Sequence, residues 1–214
     1  MEKIILFQGD SITDTSRSRE SEQNRGCGYA TMVSGVLGAR EPYKYKFLNR
    51  GISGNRVVDL YARIKMDMIN LKPDYISFLI GINDVWHEYT RQNGVDAEKF
   101  EMVYNLMIEE IKRDLPNTKL MILEPFVLPG SATESTEEFP DRWEFFKKET
   151  DLRREAARRV AEKQNVLFVP LQELFDKANA DAPANGYWLY DGVHPSAFGH
   201  RLIQEEWVKA FDKL

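Results

Sequence analysis

The sequence predicts an α/β protein, a five-stranded parallel sheet held between two layers of helices in the flavodoxin-like three-layer α/β/α sandwich. Two observations carry that prediction. Short apolar runs alternate with amphipathic stretches of helical period along the whole chain. No hairpin signal joins one run to the next, so successive strands must be parallel and covered on both faces. Right-handed crossovers complete the sandwich, and analogy with flavodoxin-like sheets gives the strand order 2-1-3-4-5. The 214 residues fit one domain spanning 1–214.

The elements follow in order. Lys3 to Phe7 is a buried strand bounded by Gly9 and Asp10, and Gly28 to Leu37 is a helix with Ala30, Met32, Val33, Val36 and Leu37 apolar. Tyr45–Asn49 is the second strand. Val57 to Leu71 has helical spacing at Val57, Leu60, Tyr61 and Ile64. The clearest strand, Asp74 to Ile80, stops at Gly81-Ile82-Asn83-Asp84. Phe100 to Leu115 is a helix closed by Pro116 and Asn117, and Lys119–Leu123 is the fourth strand. Val127 to Arg142, rich in turn residues, reads as an exposed loop. Trp143 to Gln164 is a charged helix with Leu152, Ala156 and Val160 on its apolar face. Val166–Val169 is the fifth strand, residues 171–178 a short helix, and a small-residue loop runs on through Gly186. Ala197 to Phe211 is the last helix, apolar at Leu202, Ile203, Trp207 and Val208.

Composition excludes several classes. Hydrophobic residues at 43% and charged residues at 29% describe an ordinary globular chain. With 29 basic and 34 acidic residues the net charge is −5, and no basic stripe offers a nucleic-acid surface. Cys27 is the single cysteine, so no intrachain disulfide can form, and it reads as a small buried hydrophobe. No run approaches the ~18 apolar residues of a membrane span, and the start lacks a signal-peptide core. A cytoplasmic location with no membrane partner is the expectation.

Ligands of open parallel sheets bind beyond the carboxyl ends of the strands, so the turns there are the place to look. The first is Gly9-Asp10-Ser11, the second Gly51-Ile52-Ser53-Gly54-Asn55, the third Gly81-Ile82-Asn83-Asp84. Each has an ordinary structural reading. Ser11 through Asp14 fits a weak capping box, glycines supply positive φ at turns, and Asn or Asp cap helices. Against that reading, Ser11 stands where a nucleophile would.

A serine nucleophile needs a base, and the chain has three histidines. His200 falls inside the last helix, as an ordinary helix-surface residue would. His87 follows Trp86 just past the third strand and could line a site without being the base. His194 sits between Gly192 and Pro195 on a loop ahead of a helix, with Asp191 three residues earlier. Such a turn lets the Asp accept from one ring nitrogen while the other faces Ser11, the Ser–His–Asp arrangement.

These four blocks, Gly9-Asp10-Ser11-Ile12, Gly51-Ile52-Ser53-Gly54-Asn55, Gly81-Ile82-Asn83-Asp84 and Asp191-Gly192-Val193-His194-Pro195, resemble the SGNH hydrolases, also called the GDSL family. The resemblance covers the chain from Ile4 to the last helix, with Ile12 where the name-giving motif has Leu. It implies Ser11 as nucleophile, His194 as general base and Asp191 as the residue orienting it. It implies oxyanion donors at the backbone N–H of Ser11, the backbone N–H of Gly54 and the amide of Asn83. It implies no metal and no cofactor. Ester hydrolysis passes through a tetrahedral oxyanion that such fixed donors stabilise. Gly54, without a Cβ, allows close approach to its backbone, and Asn83 donates without carrying charge. Ser53, a second serine, is expected to serve a turn or a backbone hydrogen bond.

The same blocks, with Asn49-Arg50 before the second, Val85-Trp86 after the third and Ser196 after Pro195, are similar to bacterial acetyl-xylan and xylo-oligosaccharide acetylesterases. That branch implies acetyl as the acyl group and a small sugar or oligosaccharide ester as substrate. Asp10, Trp86, Trp188 and Tyr190 are the candidate substrate-binding residues, since aromatic faces suit sugar rings or acyl chains as well as core packing. The rivals are a lysophospholipase or thioesterase on the same scaffold, a non-catalytic carbohydrate-binding module, and a metal-dependent hydrolase using Asp10, Asp191 and His194. With three histidines and no close pair, the metal site has little support. Related esterases also form homo-oligomers.

Overall fold

The computed structural model describes residues 2–183 and 186–214. Residues 184 and 185, within the small-residue loop foreseen before Gly186, lie outside them. Five strands, β1 (Lys3–Gly9), β2 (Tyr45–Asn49), β3 (Tyr75–Leu79), β4 (Lys119–Leu123) and β5 (Leu167–Val169), form one sheet in the order β2-β1-β3-β4-β5. Every pairing is parallel, with Ile5 level with Phe47 on one side and with Tyr75 on the other. Both the class and the strand order agree with the sequence reading.

The helices are α1 (Ser11–Asp14), α2 (Tyr29–Arg40), α3 (Val57–Ala62), α4 (Ile64–Asp67), α5 (Ile82–Arg91), α6 (Ala97–Asp114), α7 (Arg142–Lys163), α8 (Gln172–Asp181) and α9 (Ala197–Phe211). Side chains alternate across a strand, so each strand feeds two cores. Ile5, Phe7, Met121 and Leu123 pack with Tyr29, Val33, Ile203 and Trp207 of α2 and α9. Leu6, Phe78 and Ile122 pack on the other face with α3, α6 and the Ala156–Ala161 stretch of α7. Trp207 is fully enclosed, its ring 5.4 Å from Phe7 and 5.1 Å from Phe211.

Several local expectations are corrected. The helix foreseen over 57–71 is three short pieces. Arg63 interrupts it because its guanidinium turns inward to the Asn55 side chain (2.8 Å), the Arg50 carbonyl (2.9 Å) and Asp67. The turn expected at Gly81-Ile82-Asn83-Asp84 opens a helix the sequence does not announce, and Asn83 and Asp84 fill the first turn of α5. On α7, Leu152 is exposed and Arg153 is buried, held by Glu149 and by the Val95 carbonyl at 2.7 Å. The 127–142 stretch is only partly exposed. Val127, Leu128 and Thr133 are buried, and the Leu128 and Ala132 N–H groups donate to the carbonyls of Gly192 and Asp191.

Candidate active site

The first three strands end side by side, at the point where the strand order reverses, and the turns that follow them meet there. Ser11 is the first residue of α1. The Asp10 carboxylate caps that helix through the Ile12 N–H at 2.9 Å, so Ser11 leaves β1 at the mouth of a helix with a fixed orientation. Asn49, at the end of β2, ties the second turn down: its amide donates to the Thr13 and Arg25 carbonyls and its oxygen accepts from Gly51 N. Gly51 lies so close to α1 that a Cβ there would stand 2.4 Å from Asp14 N.

The fourth turn arrives from the C-terminal loop. Leu189 and Pro195 form an antiparallel bridge, and Tyr190 N donates to the His194 carbonyl at 2.7 Å. Inside this loop one Asp191 oxygen accepts from the N–H groups of Val193 (2.9 Å) and His194 (2.8 Å). The other oxygen faces His194 Nδ1 at 2.8 Å. His194 Nε2 in turn lies 2.9 Å from Ser11 Oγ. Three residues the sequence set 183 positions apart at the extremes therefore form one hydrogen-bonded chain. Such a chain can take the hydroxyl proton onto the imidazole and return it.

The electrostatics suit that transfer. The hydrogen bond to Asp191 raises the His194 pKa above 6.5, overcoming burial, which pulls it down. Burial pushes Asp191 up, but its hydrogen bonds from the His194 ring and from the two N–H groups prevail, and it stays below the usual carboxylate value.

Around Ser11 are donors without acceptors. The backbone N–H groups of Ser11 and Gly54 make no hydrogen bond among the described residues. Gly54 has φ +83°, a conformation that favours glycine, and the space a Cβ would enter is open. Asn83 Nδ2 gives one proton to the Asn55 carbonyl at 3.2 Å, and the amide has a second to offer. The geometry thus brings together all five residues singled out for chemistry: Ser11, Asp191, His194, Gly54 and Asn83.

Two cavities flank the Ser11–His194 pair. One, of about 280 Å³, is lined by Gly54, Asn83, Trp86, His87, Thr90 and Arg91. The other, of about 460 Å³, is lined by Thr15, Ser16, Cys27, Ser53, Tyr190 and Ala197 among others. Trp86 stands over the first, its ring 5.8 Å from that of His194, and Tyr190 is 65% exposed at the second. The other two substrate-binding candidates are corrected. Asp10 is 1% exposed beneath the site, where its carboxylate caps α1 and burial pushes its pKa up to about 7. Trp188 lines neither cavity: its ring packs edge-on against Tyr187 and its carbonyl accepts from Ser196 N.

Three further readings change. His200 is buried, not at the helix surface; its Nδ1 accepts from Tyr29 N at 3.2 Å, and burial lowers its pKa to about 4. Cys27 is exposed at the wall of the larger cavity. Ser53 binds a carboxylate and not the backbone, since its N–H (3.0 Å) and hydroxyl (3.2 Å) both reach Asp14.

That contact reveals residues the sequence reading missed. Asp14, buried at the end of α1, holds Ser53 and also pairs with Arg19 at 2.7 Å, while Arg17 and Arg19 grip the Gly51 carbonyl. The Ser11 helix and the Gly54 turn are therefore one unit. Asp84 does the same for the third turn, accepting from Val57 N at the start of α3. An acidic residue three positions after Ser11 and one directly after Asn83 were the available signals, and both had a simpler reading as helix caps.

Comparison with known proteins places this site. Residues 7–202 match the model of the GDSL-like lipase/acylhydrolase family. An acetylxylan esterase of Geobacillus stearothermophilus is 34% identical, the match covering 96% of each chain. A solved GDSL-like structure from Parabacteroides merdae is 38% identical, with TM-score 0.90 over 99% of this chain and 97% of that one. A structure of Axe2, described as an acetyl-xylooligosaccharide esterase of Geobacillus, is 32% identical with TM-score 0.83, covering 97% of this chain and 93% of the other. Two further Axe2 structures are catalytic mutants, one with a serine and one with an aspartate replaced by alanine. With the family model matching residues 7–202 and a relative 34% identical over 96% of each chain, the chain belongs to the GDSL-like lipase/acylhydrolase family and is a carboxylic ester hydrolase.

Proposed function

We propose that this esterase removes acetyl groups from short acetylated xylo-oligosaccharides or related sugars, using Ser11, His194 and Asp191 as a catalytic triad. Ser11 Oγ attacks the acetyl carbonyl as its proton passes to His194 Nε2, and Asp191 steadies the imidazolium through Nδ1. The tetrahedral oxyanion faces the N–H groups of Ser11 and Gly54 and the Asn83 amide. Collapse breaks the bond to the sugar oxygen, which takes the proton from His194 and departs as the hydroxyl, leaving acetyl on Ser11. Water, deprotonated by His194, then releases acetate and restores the serine.

The observation that carries the reading is the contact chain from Ser11 through His194 to Asp191, at 2.9 and 2.8 Å, with unpaired donors beside its hydroxyl end. The names of the Axe2 relatives support the acetyl and sugar parts of it, and their serine and aspartate catalytic mutants support roles for Ser11 and Asp191. The test is acetate release from acetylated xylo-oligosaccharides by wild type and Ser11→Ala, beside hydrolysis of a decanoyl ester. Fast acetate release, lost in the variant, is the expected result. A decanoyl ester cleaved quickly with no acetate released would replace it with a lysophospholipase- or thioesterase-type activity.

A further inference from the structure

We propose that the cavity beside Asn83 receives substrates carrying an anionic group, carboxylate or phosphate, near the acetylated sugar, with Arg91 as its counter-charge. This rests on the esterase reading above and adds a substrate class to it. The observation behind it is a difference among the arginines. Among the described residues, every other arginine has a hydrogen-bonded, ionic or aromatic partner. Arg40 pairs with Asp212, Arg50 with Glu22, Arg56 with Asp59 and Arg201 with Glu205, and Arg142 lies over the Phe139 ring. Arg17, which lacks an acid, holds the Gly51 carbonyl. Arg91 has no such partner, and it lines the cavity that also contains Gly54 and Asn83.

The surroundings leave its charge uncompensated. Glu88, one turn earlier on α5, is turned to the Gly94 N–H at 2.9 Å. Among the described residues no Asp or Glu lines the cavity, whose other titratable groups are His87 and His194. Burial, then the charges of Arg91 and Arg56, hold the His87 pKa below 6.5, and an imidazole in either form offers no negative charge to Arg91. A cation in the last turn of α5 does answer the helix dipole. That need is met whichever way the guanidinium turns, and Arg91 also lines the cavity beside Asn83. In a chain of net charge −5 it is not part of a general basic surface. A guanidinium takes a carboxylate or a phosphate in two parallel hydrogen bonds, so both anions fit.

The experiment compares kcat/KM for three acetyl esters of matched sugar length, one neutral, one bearing a uronic acid and one bearing a phosphate. Phenyl acetate is the sugar-free control. Wild type, Arg91→Gln and Arg91→Lys are measured at low and at high salt. Wild type is expected to favour an anionic ester over the neutral one by about fivefold, the scale of a partly exposed ion pair. The preference should lie in KM, shrink at high salt, survive in part in Arg91→Lys and fall to about unity in Arg91→Gln. The anion with the larger ratio identifies the group. Equal rates on all three sugars in wild type, or a preference that persists in Arg91→Gln, would overturn the proposal. Failure to cleave phenyl acetate and every sugar acetate would overturn the esterase reading itself, and this inference with it.

Discussion

Asn83 has two amide protons and, at rest, one protein acceptor, the Asn55 carbonyl. The bond orients the side chain while leaving a donor beside Ser11. Asn83→Ala should therefore lower kcat about 10²- to 10³-fold, the scale for one lost oxyanion donor, with KM little changed. Steady-state kinetics on an acetyl ester checks this; an unchanged kcat would remove Asn83 from the oxyanion site. His194 supplies a prediction with a sign. In the proposed mechanism its neutral form is the base, and the hydrogen bond to Asp191 raises its pKa above 6.5. kcat/KM should thus rise with pH through a single midpoint above 6.5. Asp191→Asn removes the charge that raises it, so the midpoint should move down while the rate falls roughly 10²- to 10⁴-fold. A pH–rate profile on both proteins decides, and near-full activity in Asp191→Asn would take Asp191 out of the triad.

Between elements, the site depends on loops that brace one another. The loop carrying Asp191 and His194 lies on the segment after β4. A Cβ on Gly192, at φ +97°, would stand 2.2 Å from Thr133 Oγ1 and 2.5 Å from the Leu128 carbonyl. Gly192→Ala should therefore shift the His194 loop, lowering stability by about 1–3 kcal/mol and kcat more steeply than KM. Urea unfolding beside kinetics tests it, and a variant matching wild type in both would show that the two loops are not coupled. The same scale explains what could be read from sequence. Strands were legible because central parallel strands are apolar on both faces, so Tyr45–Asn49 and Lys119–Leu123 were read with the bounds they have. The α5 helix was not, because Asn83 and Asp84 signal a turn and a first helical turn equally well. The contact chain of Ser11, His194 and Asp191 was legible as a spacing of residue types. The roles of Asp14, Arg63 and Arg91 were not, since each depends on which way one side chain turns after distant turns have met.

At the scale of the whole molecule, two cores clamp the sheet and leave one end of it free for chemistry. Tyr29 shows how the core reaches the site: its hydroxyl lies 3.0 Å from Thr13 on α1, and its N–H is held by His200 from α9. The helix that begins at Ser11 is thereby fixed from both the sheet and the outer layer. The order of strands is what allows residues from both ends of the chain to share one hydrogen-bonded relay. Among the described residues, no helix is long and apolar enough to cross a membrane.

The central claim is that Ser11 is the group made nucleophilic by this relay. It is tested most directly by treating the protein with an alkyl fluorophosphonate and locating the adduct by peptide mass spectrometry. One adduct per chain is expected, on Ser11, formed far more slowly in His194→Ala. An adduct on Ser53, or hydrolysis that continues with Ser11 fully blocked, would contradict it.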